Sequence, residues 1–138
     1  MRFVYKVEGG DFTQAGYAAS QVKRSLKQLG VDSSVIKRVV VALYEAEVNI
    51  VAHAYRGVIY VDIESSGIKL KLVDEGPGIQ DVTRAMTKGF STASPAVREM
   101  GFGAGMGLPN ISENADSLTI ETVVGKGTTL NIEIKFLR

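Results

Sequence analysis

Four short stretches of this chain hold the residue types that do chemistry. Glu45 and Asn49 stand four residues apart in "EAEVN". On a helix that spacing places a carboxylate and an amide on one face. Asp74 leads into the turn "DEGPG", with glycines at 76 and 78. "GFGAGMGLPN" alternates Gly101, Gly103, Gly105 and Gly107 before the chain turns apolar. Glycine used in such quantity carries an entropic cost, so this density implies a need for close backbone approach. Free N–H groups in such a loop, entering a helix, favour an anion. The last stretch, "GKGTT", runs from Gly125 to Thr129. No G-x-x-x-x-G-K-[ST] phosphate loop occurs, and no strand immediately precedes the alternating glycines as a dinucleotide fingerprint requires.

The elements that must position these residues follow from periodicity. Residues 2–7 alternate as a strand that stops at Gly9-Gly10. Residues 12–29 carry Ala15, Ala18, Val22, Leu26 and Leu29 at helical spacing, with Gly30 as the stop. A second helix starts at Asp32 or Ser33 and buries Ile36, Val39, Val40, Leu43, Ala46 and Ile50. On it Glu47 faces away from Glu45 and is expected in solvent. Tyr44 and Tyr55 are expected to pack, and Lys126 to be solvated. His53 continues the Glu45–Asn49 face and is expected to have a structural or site-lining role. "VIYVDIES" and "IKLKLVD" form a hairpin, "QDVTRAMTKG" holds a short helix, and residues 87–105 form a loop. "LPNISENA" is helical, with Pro109 tolerable only in the first turn. "SLTIETVV" and "TLNIEIKF" must pair antiparallel across so short a turn. The expected class is α+β: a mixed, mostly antiparallel sheet with helices on one face, a two-layer α/β sandwich.

The composition bounds the rest. The chain has 138 residues, enough for one domain spanning 1–138, with 45% hydrophobic and 22% charged residues, as in globular proteins rather than disordered ones. A net charge of +1 points to neither nucleic acid nor a membrane surface. The absence of cysteine excludes disulfides, thiolate catalysis and cysteine-built metal sites. "MRFVYKVEGGDF" lacks a signal-peptide core, and no apolar run is long enough to cross a bilayer. A cytoplasmic, soluble protein is expected.

The four stretches, in this order, resemble the GHKL ATP-binding superfamily, which includes gyrase-type ATPases, a class of heat-shock chaperones, histidine kinases and mismatch-repair ATPases. "EAEVN" fits its N box, "DEGPG" the first glycine box, "GFGAGMGL" the second and "GKGT" the third. Each motif alone is weak; the four in order, over roughly Asp32 to Phe136, are strong. The resemblance implies a Bergerat-type ATP-binding fold, ATP as ligand and Mg²⁺ as cofactor. It implies Glu45 as general base and Asn49 as the Mg²⁺ ligand. Asp74 would accept the adenine amino hydrogen, with Gly76 and Gly78 letting the base lie against the backbone. Thr128 or Thr129 would reach the adenine region. Gly103, Gly105, Gly107 and Leu108 would line the phosphates under a lid, and Arg98 or Lys88 would touch the γ-phosphate.

Within the superfamily, "DEGPGIQDVTRAM", "KGFSTAS" and "GMGLPNI" look like the stand-alone anti-sigma factor serine/threonine kinases and stress switch kinases of bacteria. The lid stretch "STASPAVREMGFGAGMGL" is longer by one Gly-x step than in the shortest switch kinases. That group implies phosphorylation of a STAS-domain antagonist, with a sigma factor or a phosphatase as a further partner and homodimers common. Two other readings are open. One is a nucleotide-gated binding module without phosphoryl transfer. The other is a detached histidine-kinase catalytic domain, which would label a histidine instead.

Overall fold

The computed structural model describes residues 1–87 and 107–137. Strand β1 (Arg2–Glu8) leads through a single 3₁₀ turn at Phe12–Gln14 to helix α1 (Tyr17–Gln28) and helix α2 (Ser33–His53). Strands β2 (Arg56–Ile63) and β3 (Gly67–Glu75) follow, then a one-turn helix α3 (Val82–Ala85), helix α4 (Gly107–Asn114) and strands β4 (Ser117–Val123) and β5 (Gly127–Lys135). The strands form one sheet in the order β1-β2-β3-β5-β4. Every pairing is antiparallel, so the expected mixed character is absent among the described residues.

Alternation explains the layers. Ile59, Val61 and Ile63 of β2, Ile68, Leu70 and Leu72 of β3, and Leu130, Ile132 and Ile134 of β5 are all buried. They meet Val22 and Leu26 of α1, Val39, Leu43, Ala46 and Ile50 of α2, and Ile111 of α4 in one core. The residues between them on β3, Lys69 and Lys71, are exposed on the other face. The described helices therefore cover one face of the sheet. Each fully buried Leu or Ile contributes about 1.5–3 kcal/mol.

The first helix departs from expectation. Its periodic pattern runs from residue 12, but Ala15 is extended and Gly16 takes φ +93°, so α1 begins only at Tyr17. A Cβ on Gly16 would lie 3.1 Å from the Tyr44 ring. The start of α1 is thus set by the left-handed backbone at Gly16, with the Tyr44 ring of α2 packed beside it.

Glu47 is a second departure. It is 2% exposed, not solvated. Its Oε2 accepts from the Ala18 N–H at 3.1 Å and its Oε1 from the Ala19 N–H at 3.2 Å. No side chain at Gly16 caps α1, so a carboxylate from α2 satisfies these otherwise orphaned first-turn donors. Burial pushes the Glu47 carboxyl up, against the pull of the backbone N–H groups of Ala18, Ala19, Gly16 and Tyr17. Tyr55, expected to pack, is 66% exposed, and Tyr44 sits at the rim at 38%. Lys126 is exposed as expected.

The C-terminal end of α2 is also fixed. The Gly10 N–H donates to the Val51 carbonyl at 2.8 Å, and the Gly9 N–H to the Tyr55 carbonyl at 2.8 Å. Gly9 allows this approach, since a Cβ there would lie 1.9 Å from the Ala54 carbonyl oxygen. At the other end Arg38 reaches Asp116 at 3.4 Å, and Asp116 also accepts from the Lys135 N–H at 2.7 Å. Helix α2 is held at both ends and along its inner face, which leaves its outer polar row at a defined place.

Candidate functional site

That row is Glu45, Asn49 and His53, each half-buried. Helix α4 lies across it. A Cβ on Gly107 would sit 2.9 Å from Asn49 Oδ1, so any larger residue at the start of α4 would push the amide aside. One turn further on, Asn110 Nδ2 donates to Glu45 Oε1 at 3.4 Å. Gly107 and Asn110 are spaced i,i+3 on α4, and they meet Asn49 and Glu45, spaced i,i+4 on α2. The two helices therefore run antiparallel here with their polar rows in register.

A second cluster forms where β3 ends. Asp74 Oδ1 accepts from the Thr128 N–H at 3.1 Å. The Gly127 backbone crosses so near that a Cβ would lie 2.0 Å from the Asp74 carbonyl oxygen. The turn after Asp74 is tied to the β4–β5 turn by the Gly76 N–H to the Lys126 carbonyl at 3.0 Å and the Gly125 N–H to the Pro77 carbonyl at 2.8 Å. Gly78, at φ +74°, lies where a Cβ would be 2.6 Å from the Val123 carbonyl oxygen. The Ile79 N–H donates to Thr122 Oγ1 at 2.9 Å. That hydroxyl also lies 2.9 Å from Thr128 Oγ1 and 3.2 Å from the Gly127 carbonyl oxygen. If Thr122 donates to the Gly127 carbonyl, Thr128 must donate to Thr122, and Thr128 keeps acceptor capacity of its own.

Gly76 joins the two clusters. A Cβ on it would lie 3.0 Å from Ala54 Cα and 3.5 Å from Asp74 Oδ1. Ala54 directly follows α2, little more than one turn beyond Asn49. A cavity of about 610 Å³ opens beside Asp74, with Thr122, Lys126, Gly127 and Thr128 among its lining residues. Burial pushes the Asp74 carboxyl up, partly countered by the Thr128 N–H. Burial also pushes the His53 imidazole down, toward its neutral form.

The structure thus brings Glu45, Asn49 and Gly107 together, and separately Asp74, Gly76, Gly78 and Thr128, with Ala54 between the groups. Leu108 is 8% exposed and belongs to the core. Arg98, Gly103, Gly105 and Lys88 lie outside the described residues. Sequence reasoning missed Asn110 and Thr122. Asn110 carried a usable signal, since it lies i+3 from Gly107 on the same helical face; Thr122 is one of several threonines in an alternating strand and carried none.

Residues 11–134 match the histidine kinase-like ATPase domain family, and the chain belongs to that family. Among its relatives is the serine/threonine-protein kinase RsbT of Bacillus subtilis, 34% identical over 126 residues, covering 88% of this chain and 88% of RsbT. An anti-sigma F factor of Caldanaerobacter subterraneus is 31% identical over 137 residues, covering 96% of this chain and 89% of that protein. A crystal structure of the RsbU and RsbW domains of a Mycobacterium tuberculosis protein superposes with a TM-score of 0.65 at 16% identity. That match covers 97% of this chain and 31% of the other, and it supports the two-layer fold. Among the described residues no helix is long and apolar enough to cross a membrane.

Proposed function

We propose that this protein is an ATP-dependent serine/threonine kinase of the anti-sigma and switch-kinase type, acting on a STAS-domain antagonist. The observation that carries this is the pairing of Glu45 and Asn49 with the start of α4, next to the Asp74 turn. The names of the RsbT kinase and anti-sigma F relatives support the same reading.

In this reading Asp74 receives the adenine amino group, and Gly76 and Gly78 let the turn after β3 pack closely against Ala54 and Val123, which holds the Asp74 carboxylate in place. An acceptor at that place favours adenine over guanine, which carries a carbonyl there. Thr128 or Thr129 lines the adenine side. A magnesium ion at such a site draws most of its ligands from phosphates and water and needs only one or two from the protein. The Asn49 side-chain oxygen fits that need without adding charge, and the glycine at 107 leaves space beside it. When bound, the ion neutralises phosphate charge; the protein's own task is to position the reactants. Glu45 faces the acceptor hydroxyl as general base. The hydroxyl oxygen bonds to the γ-phosphorus as the bond from that phosphorus to the bridging oxygen breaks. ADP leaves, and the hydroxyl proton passes to the Glu45 carboxylate.

The test is phosphoryl transfer from γ-labelled ATP with Mg²⁺ to STAS-domain proteins of the same organism, with Glu45→Gln alongside. Acid-stable label on one STAS protein, lost in the variant, is the expected result. Acid-labile label on a histidine would mark a histidine-kinase domain instead. Nucleotide binding with no label on any protein would mark a nucleotide-gated binding module.

A further inference from the structure

We propose that Asn110 is a positioning residue that aims the Glu45 carboxylate; the inference rests on the kinase reading above. A glutamate on a helix surface has three rotatable side-chain bonds, and an unanchored base spends little time in a productive geometry. Among the described residues Asn110 is the one hydrogen-bond partner of Glu45, donating to Oε1 at 3.4 Å. Among the described residues nothing else engages the carboxylate, and in this reading Oε2 takes the substrate proton.

Two further features point to orientation rather than simple contact between helices. The Asn110–Glu45 pair is in register with Gly107 against Asn49, so one face of α4 addresses both polar residues of α2. Asparagine is also a weaker helix former than alanine or leucine, so the helix itself gains nothing from it. The frame behind Asn110 is firm. Its carbonyl accepts from Asn114 Nδ2 at 2.8 Å, and the adjacent Ile111 is fully buried.

The amide also selects for a donor. Aspartate at 110 has nearly the same shape but sets an acceptor where the donor stood. Any role in filling space between α2 and α4 survives Asn110→Asp, whereas a role in aiming the base does not.

The experiment is a kinetic double-mutant cycle on the full chain, with Asn110→Ala and Asn110→Asp in the wild-type and Glu45→Gln backgrounds. Steady-state phosphoryl transfer and thermal melting are both read. Misaiming a base by about 1 Å costs on the order of tenfold to a hundredfold in rate. Both Asn110 variants are therefore expected to lower kcat by about tenfold, with KM for ATP within about twofold of wild type. In the Glu45→Gln background neither is expected to lower the residual rate further. Equal losses in both backgrounds, or an Asn110→Asp variant as active as wild type, overturn the positioning role and leave the kinase reading intact. A wild-type chain that transfers no phosphoryl group overturns the kinase reading and this role with it. Should Asn110→Ala melt below the assay temperature, the near-isosteric Asn110→Asp cycle decides.

Discussion

Replacing Glu47 by alanine should destabilise the fold far more than replacing Glu45, though the two lie on the same helix. Glu47 is buried and holds the Ala18 and Ala19 N–H groups at 3.1 and 3.2 Å. Its removal strands both donors in the interior, at about 1–3 kcal/mol each. Loss of a desolvated carboxylate and entry of water into the space return part of this, for a net cost of about 2–4 kcal/mol. In a domain of this size each kcal/mol moves Tm by about 3–5 °C, so Glu47→Ala should melt about 10 °C below wild type. Circular dichroism at pH 7 measures this, and amide exchange at Ala18 and Ala19 should accelerate. Glu45→Ala serves as the control and should move Tm by less than about 3 °C. A Glu47→Ala loss no larger than that of the control refutes the capping argument. The pH dependence gives a second check. Burial holds the folded-state carboxyl above its ordinary 4.5, so between that value and the raised one the native state keeps a proton that the unfolded chain has lost. The proton-linked part of this group's stability is fully present below the unfolded value and is lost as pH rises through the folded one, whereas the hydrogen bonds to Ala18 and Ala19 remain. The stability gap between wild type and Glu47→Gln should therefore narrow with rising pH across that window; a widening gap contradicts the direction assigned.

Two other expectations follow. Gly127→Ala would drive a Cβ to 2.0 Å from the Asp74 carbonyl oxygen, and should cost about 3 kcal/mol as β3 and β5 are forced apart. Gly125→Ala, with nothing within 4 Å of its Cβ position, should cost only about 1 kcal/mol for its positive φ; equal losses by thermal melting would contradict the crossing geometry. His53 is the chain's single histidine, so its ring titration by NMR stands alone, and its midpoint should fall below the ordinary 6.5 because burial disfavours the charged ring; a midpoint at or above 6.5 contradicts the burial.

Strands were the most legible feature of the sequence. "TLNIEIKF" and "IKLKLVD" alternate, and Leu130, Ile132, Ile134, Ile68, Leu70 and Leu72 are the residues that the fold buries. The motif residues were legible as well, since close-approach glycines such as Gly76 and Gly107 stand out by type. What escaped depends on contacts between distant parts of the chain. Glu47 falls opposite Glu45 on a helical wheel, and that face was read as solvent. In the fold Ala46, Glu47 and Val48 are all buried, because α2 is enclosed by the sheet, α1 and α4. The partners of Glu47 lie 28 and 29 residues upstream. Asn110 and Glu45 are 65 residues apart, and Ile79 and Thr122 are 43 apart. A local pattern can place Asn110 on the Gly107 face, but none reports which distant residue each of these groups meets. The late start of α1 is a local matter instead, since the apolar period continues through Gly16, whose φ of +93° interrupts the helix.

The most direct test of the central claim is calorimetric titration of Mg-ATP and Mg-GTP against the wild-type protein and Asp74→Ala. The account predicts that wild type binds Mg-ATP in preference to Mg-GTP. It also predicts that Asp74→Ala loses about 1–3 kcal/mol of Mg-ATP affinity, roughly tenfold to a hundredfold. Absence of Mg-ATP binding by the wild type, or equal affinity in Asp74→Ala, would contradict it.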